Sequence, residues 1–211
     1  MNKTIILGSS SRDRIKIFKR AGIPTKIIVS DYEEDKSLSK SPKDLVKILA
    51  EGKLNNILEK IRQDPEYSYL KSQKYIVITA DTIVSYNNKI IGKAENRTHA
   101  QQILKMLAGQ EHELITGVYM YDSTSEKRIS FYDSTIVRFT NLTDQQINDY
   151  LDYCDEYKGR AGAYSLMERA SLFIDYIRGS PSNVIGIPMH IIRQGLAEFN
   201  VNLLQVRFFD V

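Results

Sequence analysis

The 211-residue chain reads as an α/β protein. Three observations predict this. Short apolar runs rich in β-branched residues alternate with longer stretches in which apolar residues recur at helical spacing. The run Tyr75-Ile76-Val77-Ile78-Thr79 lacks polar alternation, as a strand covered on both faces does. Between residues 113 and 139 two strand-like runs follow each other through a short polar turn, so part of the sheet is antiparallel.

Taken in order, Thr4 to Leu7 form a short buried strand. Gly8-Ser9-Ser10-Ser11 then opens a helix on which Ile15, Phe18 and Ala21 or Gly22 recur, with Ser11 as N-cap and Asp13 in the first turn where the dipole favours an acid. Strand, small polar loop and helix N-terminus make an anion-binding arrangement, though such loops also serve as plain caps. Arg14 is ill-suited to a first turn unless it faces an anion. Ile27-Ile28-Val29 is a second strand. It runs into Ser30-Asp31-Tyr32-Glu33-Glu34-Asp35, with four acids in five positions. That is a solvated loop, or one acid turns inward to a divalent cation; Mg²⁺ prefers one or two carboxylates plus substrate phosphates.

Ser41-Pro42 starts a helix striped by Leu45, Ile48, Leu49, Leu54, Ile57, Leu58 and Ile61, and Asp64-Pro65 breaks it. Lys53 on this helix reads as a solvated lysine. Residues 63–74 read as a surface loop. The central strand from Tyr75 ends in Asp81, and an acid at the C-terminal edge of a buried strand lies where α/β sheets bind ligands, or else caps a turn. After a hairpin turn at Asn87-Asn88 comes Gly92-Lys93. An Asp at a strand end and a Lys returning beside it suit a metal-bound polyphosphate. Asn96 to Ala108 is a helix stopped by Gly109. Glu113 to Tyr121 and Ile129 to Phe139 are antiparallel strands around Ser123-Thr124-Ser125-Glu126. Thr143 caps a helix that runs to about Cys154. The small residues of Lys158 to Tyr164 permit close backbone approach. Ser171 to Ile177 is a strand, and Val184 to Pro188 hands over to a last helix, His190 to Phe199.

Length fits one large domain or two small lobes, and the chain is taken as a single domain over 1–211. Hydrophobic residues, at 42%, suffice for a sizeable core. The formal charge of +3, with no basic block and 13 tyrosines dispersed without a platform motif, argues against nucleic acid. The single cysteine, Cys154, excludes an internal disulfide and a cysteine-based zinc site. His99, His112 and His190 show no ligand spacing. No apolar run approaches the roughly 18 residues of a membrane span, and only three apolar residues follow Thr4, too few for a signal peptide. The expectation is a cytoplasmic protein without a membrane or nucleic-acid partner.

Taken together, Leu7 to Ser11, Glu33-Glu34, Ala80-Asp81-Thr82, Gly92-Lys93, Leu107-Ala108-Gly109, Thr116-Gly117-Val118, Ala161-Gly162-Ala163-Tyr164 and Val184 to Pro188 resemble the Maf family, nucleoside triphosphate pyrophosphatases also described as septum-formation inhibitors. The match covers nearly the whole chain in order. The resemblance implies an elongated mixed α/β sheet with two lobes and a central cleft, related to the inosine triphosphate pyrophosphatases. It implies hydrolysis of a nucleoside triphosphate to monophosphate and pyrophosphate, removing non-standard or excess nucleotides, with Mg²⁺ or Mn²⁺, in a homodimer. It places the family's metal-binding and catalytic acids on Glu34 and Asp81 and its lysines on Lys53 and Lys93, which overrides the solvated reading of Lys53. Substrate contacts fall on Ser9, Ser10, Ser11, Arg14 and Thr82.

Two positions depart from the branch acting on dTTP and UTP. The first arginine of its Ser-Pro-Arg-Arg is Asp13 here, with Arg12 about 100° away around the helix, and its glutamine is Met167, which cannot pair with a base edge as an amide does. The acid that the branch acting on 7-methyl-GTP carries there is absent too, and the family's Gly-Lys-Pro is Gly92-Lys93-Ala94. The chemistry follows from the resemblance; the choice of base does not. The competing expectation is a non-catalytic nucleotide-binding regulator of cell division, against which the retention of Glu34, Lys53, Asp81 and Lys93 argues.

Overall fold

Ile5, Ile6 and Leu7 have no exposed surface because their strand is flanked on both sides. In the computed structural model, which describes residues 3–39 and 41–205, β1 (Thr4–Gly8) leads through α1 (Arg12–Arg20) to β2 (Thr25–Ile27), and pairs in parallel with β2 and with β3 (Tyr75–Tyr86). α2 (Pro42–Gln63) lies between β2 and β3 in sequence. β3 turns back antiparallel into β4 (Lys89–Ile91) through Asn87 and Asn88, both with positive φ, the conformation a two-residue hairpin demands. Then follow α3 (Arg97–Leu107), β5 (Glu111–Asp122), β6 (Arg128–Phe139), α4 (Asp144–Tyr153), β7 (Ile174–Arg178), the four-residue α5 (Pro181–Val184) and α6 (Met189–Ala197). The seven-stranded mixed sheet runs β2-β1-β3-β5-β6-β7, with β4 on β3.

The chain divides into two compact units, residues 1–81, 117–132 and 189–211, and residues 82–116 and 133–188. The division falls inside β3, β5 and β6, between Asp81 and Thr82, Thr116 and Gly117, and Tyr132 and Asp133. In the first unit Ile6, Ile28, Leu54, Ile57, Ile61, Leu70 and Val77 form a core. In the second, Leu104, Leu107, Phe139, Ile147, Tyr150, Tyr164 and Phe173 are among those that do.

Helix caps follow the sequence closely: Ser11, Ser41, Asn96 and Thr143 each accept a hydrogen bond from their helix's third residue, and Thr143 with Gln146 forms a full capping box. Other expectations need correction. β3 does not end at Asp81; the β-branched Thr82-Ile83-Val84 carry the strand on to Tyr86, so Asp81 is buried in mid-strand. β2 spans Thr25–Ile27 rather than 27–29. The segment after α2 is a 3₁₀ helix over Pro65–Ser72, capped by Asp64. The strand expected from Ser171 begins at Ile174, because the buried carboxylate of Glu156 accepts from the amides of Arg169 and Ala170 and winds Arg169–Leu172 into a 3₁₀ turn.

Candidate active site

The site is built where α2 lies against β3. Its close approach rests on two glycines. A Cβ on Gly117 of β5 would stand 2.5 Å from the backbone carbon and oxygen of Val46, and one on Gly8 would press on Ile57 and stand 2.6 Å from Thr79. With the backbones this close, Thr79 donates its hydroxyl hydrogen bond to the carbonyl of Ala50 at 2.7 Å. Asp81, two residues on, shares that face of β3, and Lys53, three residues on, shares that face of α2. The two meet with Lys53 Nζ 2.5 Å from Asp81 Oδ1, and only 13% and 8% of the side chains are exposed.

The same nitrogen lies 2.8 Å from Oε1 of Glu34. Exposure alternates along the acidic loop, so Glu33 faces solvent while Glu34 turns inward. Arg14 completes the cluster in this unit. Its Nη1 donates to the carbonyl of Ala80 at 2.8 Å. Burial holds the guanidinium below its ordinary pKa, while the carboxylates of Asp81 and Glu34 act in the opposite direction. Two anions and two cations, distant in sequence, thus converge around β3.

The serine loop is occupied with its own geometry. Ser9 is buried and its Oγ accepts from the amide of Ser11 at 3.1 Å; Ser11 Oγ caps α1 by accepting from Arg14; Ser10 is exposed. Asp13 is buried in the first turn of α1. Thr82, Lys93 and Met167 belong to the second unit. There Thr82 Oγ1 lies 2.9 Å from Thr116 Oγ1 and 3.3 Å from the carbonyl of Gly186. Lys93 is exposed, its backbone bridged to Ala161, and Met167 is partly buried. Cys154 donates to the carbonyl of Tyr150, and burial pushes its thiol pKa up.

Lys53 is the cluster residue that the local pattern missed, although a signal was there: it lies on the buried stripe of Ala50, Leu54 and Ile57, at spacings of three, one and four, where a solvated lysine does not belong. Among the described residues no group of three or more His, Cys, Asp and Glu side chains is set to hold a metal by itself. Glu34 and Asp81 nevertheless aim an oxygen each at one cationic nitrogen. A pair of carboxylates around a positive charge is a donor set that fits Mg²⁺ when phosphate oxygens fill the rest of its shell. Among the described residues no helix is long and apolar enough to cross a membrane.

A family model described as Maf-like protein matches residues 4–199. A dTTP/UTP pyrophosphatase of Bacillus thuringiensis subsp. konkukian (strain 97-27) is 34% identical over 201 residues, covering 95% of this chain and 98% of that protein. A dTTP/UTP pyrophosphatase of Bacillus cereus (strain ATCC 10987 / NRS 248) is also 34% identical over 201 residues, covering 95% of this chain and 92% of its own. Among solved structures, the Ham1 protein of Staphylococcus aureus is similar over 65% of this chain and 72% of that one, with 12% identity and a TM-score of 0.34, a likeness too slight to carry an argument.

Proposed function

The chain belongs to the Maf family, and from that premise we propose that it hydrolyses a nucleoside triphosphate to the monophosphate and pyrophosphate, assisted by a divalent cation held by Glu34 and Asp81. The observation that carries this reading is the convergence of both carboxylates on the single ammonium of Lys53, with Arg14 against the same strand. A triphosphate carries about four negative charges near neutral pH, so charge must be neutralised before water can attack phosphorus. Bound Mg²⁺ or Mn²⁺ would supply Lewis-acid polarisation of the phosphoryl oxygens and lower the pKa of water.

The chain's own groups do the rest. Asp81, fixed in mid-strand, orients the attacking water and accepts its proton. Lys53 and Arg14 donate hydrogen bonds to phosphate oxygens and stabilise the charge that grows on the leaving pyrophosphate. No side chain need form a covalent intermediate. The names of the relatives make dTTP and UTP the first substrates to try, while Asp13 and Met167 leave the base preference to be found.

The test is pyrophosphate release across ribo-, deoxyribo- and modified triphosphates, with and without Mg²⁺. The expected result is Mg²⁺-dependent release from at least one of them, lost in Asp81→Asn. Release from none, or full activity in Asp81→Asn, would overturn the proposal.

A further inference from the structure

Glu34 has no regular secondary structure to hold it. What holds it is a set of contacts that its loop makes along one ridge of α2. Gly52, Asn56 and Lys60 follow each other at intervals of four, so they stack on one side of the helix. Lys60 donates to the carbonyl of Val29 at 2.8 Å and pairs with Asp31. Asn56 Oδ1 accepts twice, from the hydroxyl of Ser30 and the amide of Asp31, both at 3.0 Å. Ser30 Oγ accepts from the amide of Tyr32 at 3.1 Å. The ring of Tyr32 then lies directly over Gly52: a Cβ there would press into Cζ and stand 2.6 Å from both Cε atoms. Lys53, the partner of Glu34, is the next residue along the helix.

We propose that Gly52 and Asn56 are positioning residues, which clamp the acidic loop onto α2 so that Glu34 is delivered to Lys53 and Asp81. This rests on the function proposed above for its catalytic consequence, but the clamp itself is a matter of loop structure. A glycine in the middle of a long helix is otherwise unfavourable, since alanine is preferred there. At this position the missing Cβ is the seat of the Tyr32 ring. Tyr32 and Glu34 are the two half-buried residues between exposed Asp31, Glu33 and Asp35, so lifting the ring is expected to lift the carboxylate with it.

Two measurements on the full-length protein test this. The first is amide hydrogen exchange over residues 29–35, which needs no activity. Gly52→Ala and Asn56→Leu are expected to speed exchange of the loop amides by about tenfold or more, with the amides of Ile57 to Ile61 unchanged. Asn56→Asp, which keeps the acceptor oxygen, is expected to preserve protection. The second is pyrophosphate release. The loosened variants are expected to lose about tenfold or more in kcat, with a smaller change in KM. In a Glu34→Gln background the same substitutions are expected to cost less than about twofold, because the group they position is already gone.

Unchanged loop exchange in both loosened variants, or an equal catalytic loss with and without Glu34, would overturn the proposal. Should Gly52→Ala fail to fold, the Asn56 pair decides alone. A parent protein that releases no pyrophosphate would overturn the proposed function, and the exchange measurement would still decide whether the clamp exists.

Discussion

Lys53 Nζ lies 2.5 Å from Oδ1 of Asp81, at a place where neither side chain is more than 13% exposed. A buried ion pair is weak evidence of net stabilisation, since desolvation offsets much of the attraction. Breaking one partner is a different matter, because the other charge stays buried. Lys53→Met leaves Asp81 beside Glu34 with the charge of Arg14, which acts on both. The expected loss of stability is about 3 kcal/mol, at the low end of the range because Glu34 is partly solvated. Chemical denaturation measures it. Pyrophosphate release is expected to fall by about 100-fold or more. A variant as stable and active as its parent would separate this pair from both folding and function.

Divalent cations should register in the folded protein when a non-hydrolysable triphosphate supplies the phosphate oxygens that complete their shell. Binding to the folded state alone raises stability with the logarithm of one plus the cation concentration over Kd, by about 2.7 kcal/mol at a hundred times Kd. For a chain of this size that is a rise in Tm of several degrees. Mg²⁺ or Mn²⁺ titration of the parent at a fixed concentration of that triphosphate, followed by thermal melting, is expected to show the rise, and Glu34→Gln and Asp81→Asn to lack it. A chelator should abolish pyrophosphate release and excess Mg²⁺ restore it. An equal shift in the parent and both variants would place the bound cation elsewhere.

The close docking of α2 carries its own prediction. Gly117 faces backbone atoms of Val46 and Lys47, which cannot rotate aside as a side chain can. Gly117→Ala must push α2 away from β5, and overpacking of this kind costs about 3 kcal/mol. The displacement also draws Lys53 from Asp81, so activity should fall further than that of a distant mutant of equal stability. Denaturation and pyrophosphate release on the same samples check both. A fully stable, fully active Gly117→Ala would show that the helix seat yields easily.

Much of the fold was legible because the signals were local. The caps at Ser11, Ser41, Asn96 and Thr143, and the hairpin at Asn87-Asn88, each depend on a few adjacent residues. Asp81 shows where local reading stops. It reads as a strand end because an acid follows an apolar run, yet the strand continues, and what accommodates the carboxylate is a lysine on a separate helix. Lys53 reads locally as a solvated side chain and only the family resemblance singles it out, although its place on the Ala50, Leu54 and Ile57 stripe marks it as inward. Glu156 gave no signal at all. Its burial under the Tyr150 hydroxyl and the amides of Arg169 and Ala170 is a product of tertiary packing. Gly52 and Asn56 read as ordinary helix positions, because the loop that rests on them is distant in sequence.

His112 gives the fold a pH dependence whose sign can be worked out. It is 2% exposed in the second unit, with Nε2 2.9 Å from the hydroxyl of Tyr164 and its ring edge-to-face with Phe139 at 4.8 Å. Burial pushes its pKa down from 6.5 to about 4. The unfolded chain therefore takes up a proton at this residue as pH falls through 6.5, while the folded chain resists until about 4. Between those values the unfolded state binds more protons, so stability declines as pH falls, at up to about 1.4 kcal/mol per pH unit and by about 3 kcal/mol across the window. His112→Phe removes the titrating group and leaves an aromatic ring among aromatic neighbours. Its absolute stability will differ through the lost hydrogen bond to Tyr164, so the slope is the quantity to compare. The chain has no tryptophan, and urea denaturation followed by far-ultraviolet circular dichroism at pH 7, 6 and 5 is the suitable measurement. The gap between parent and variant is expected to move in the variant's favour with each step down. A gap that stays constant over that range would mean that His112 does not resist protonation in the folded protein.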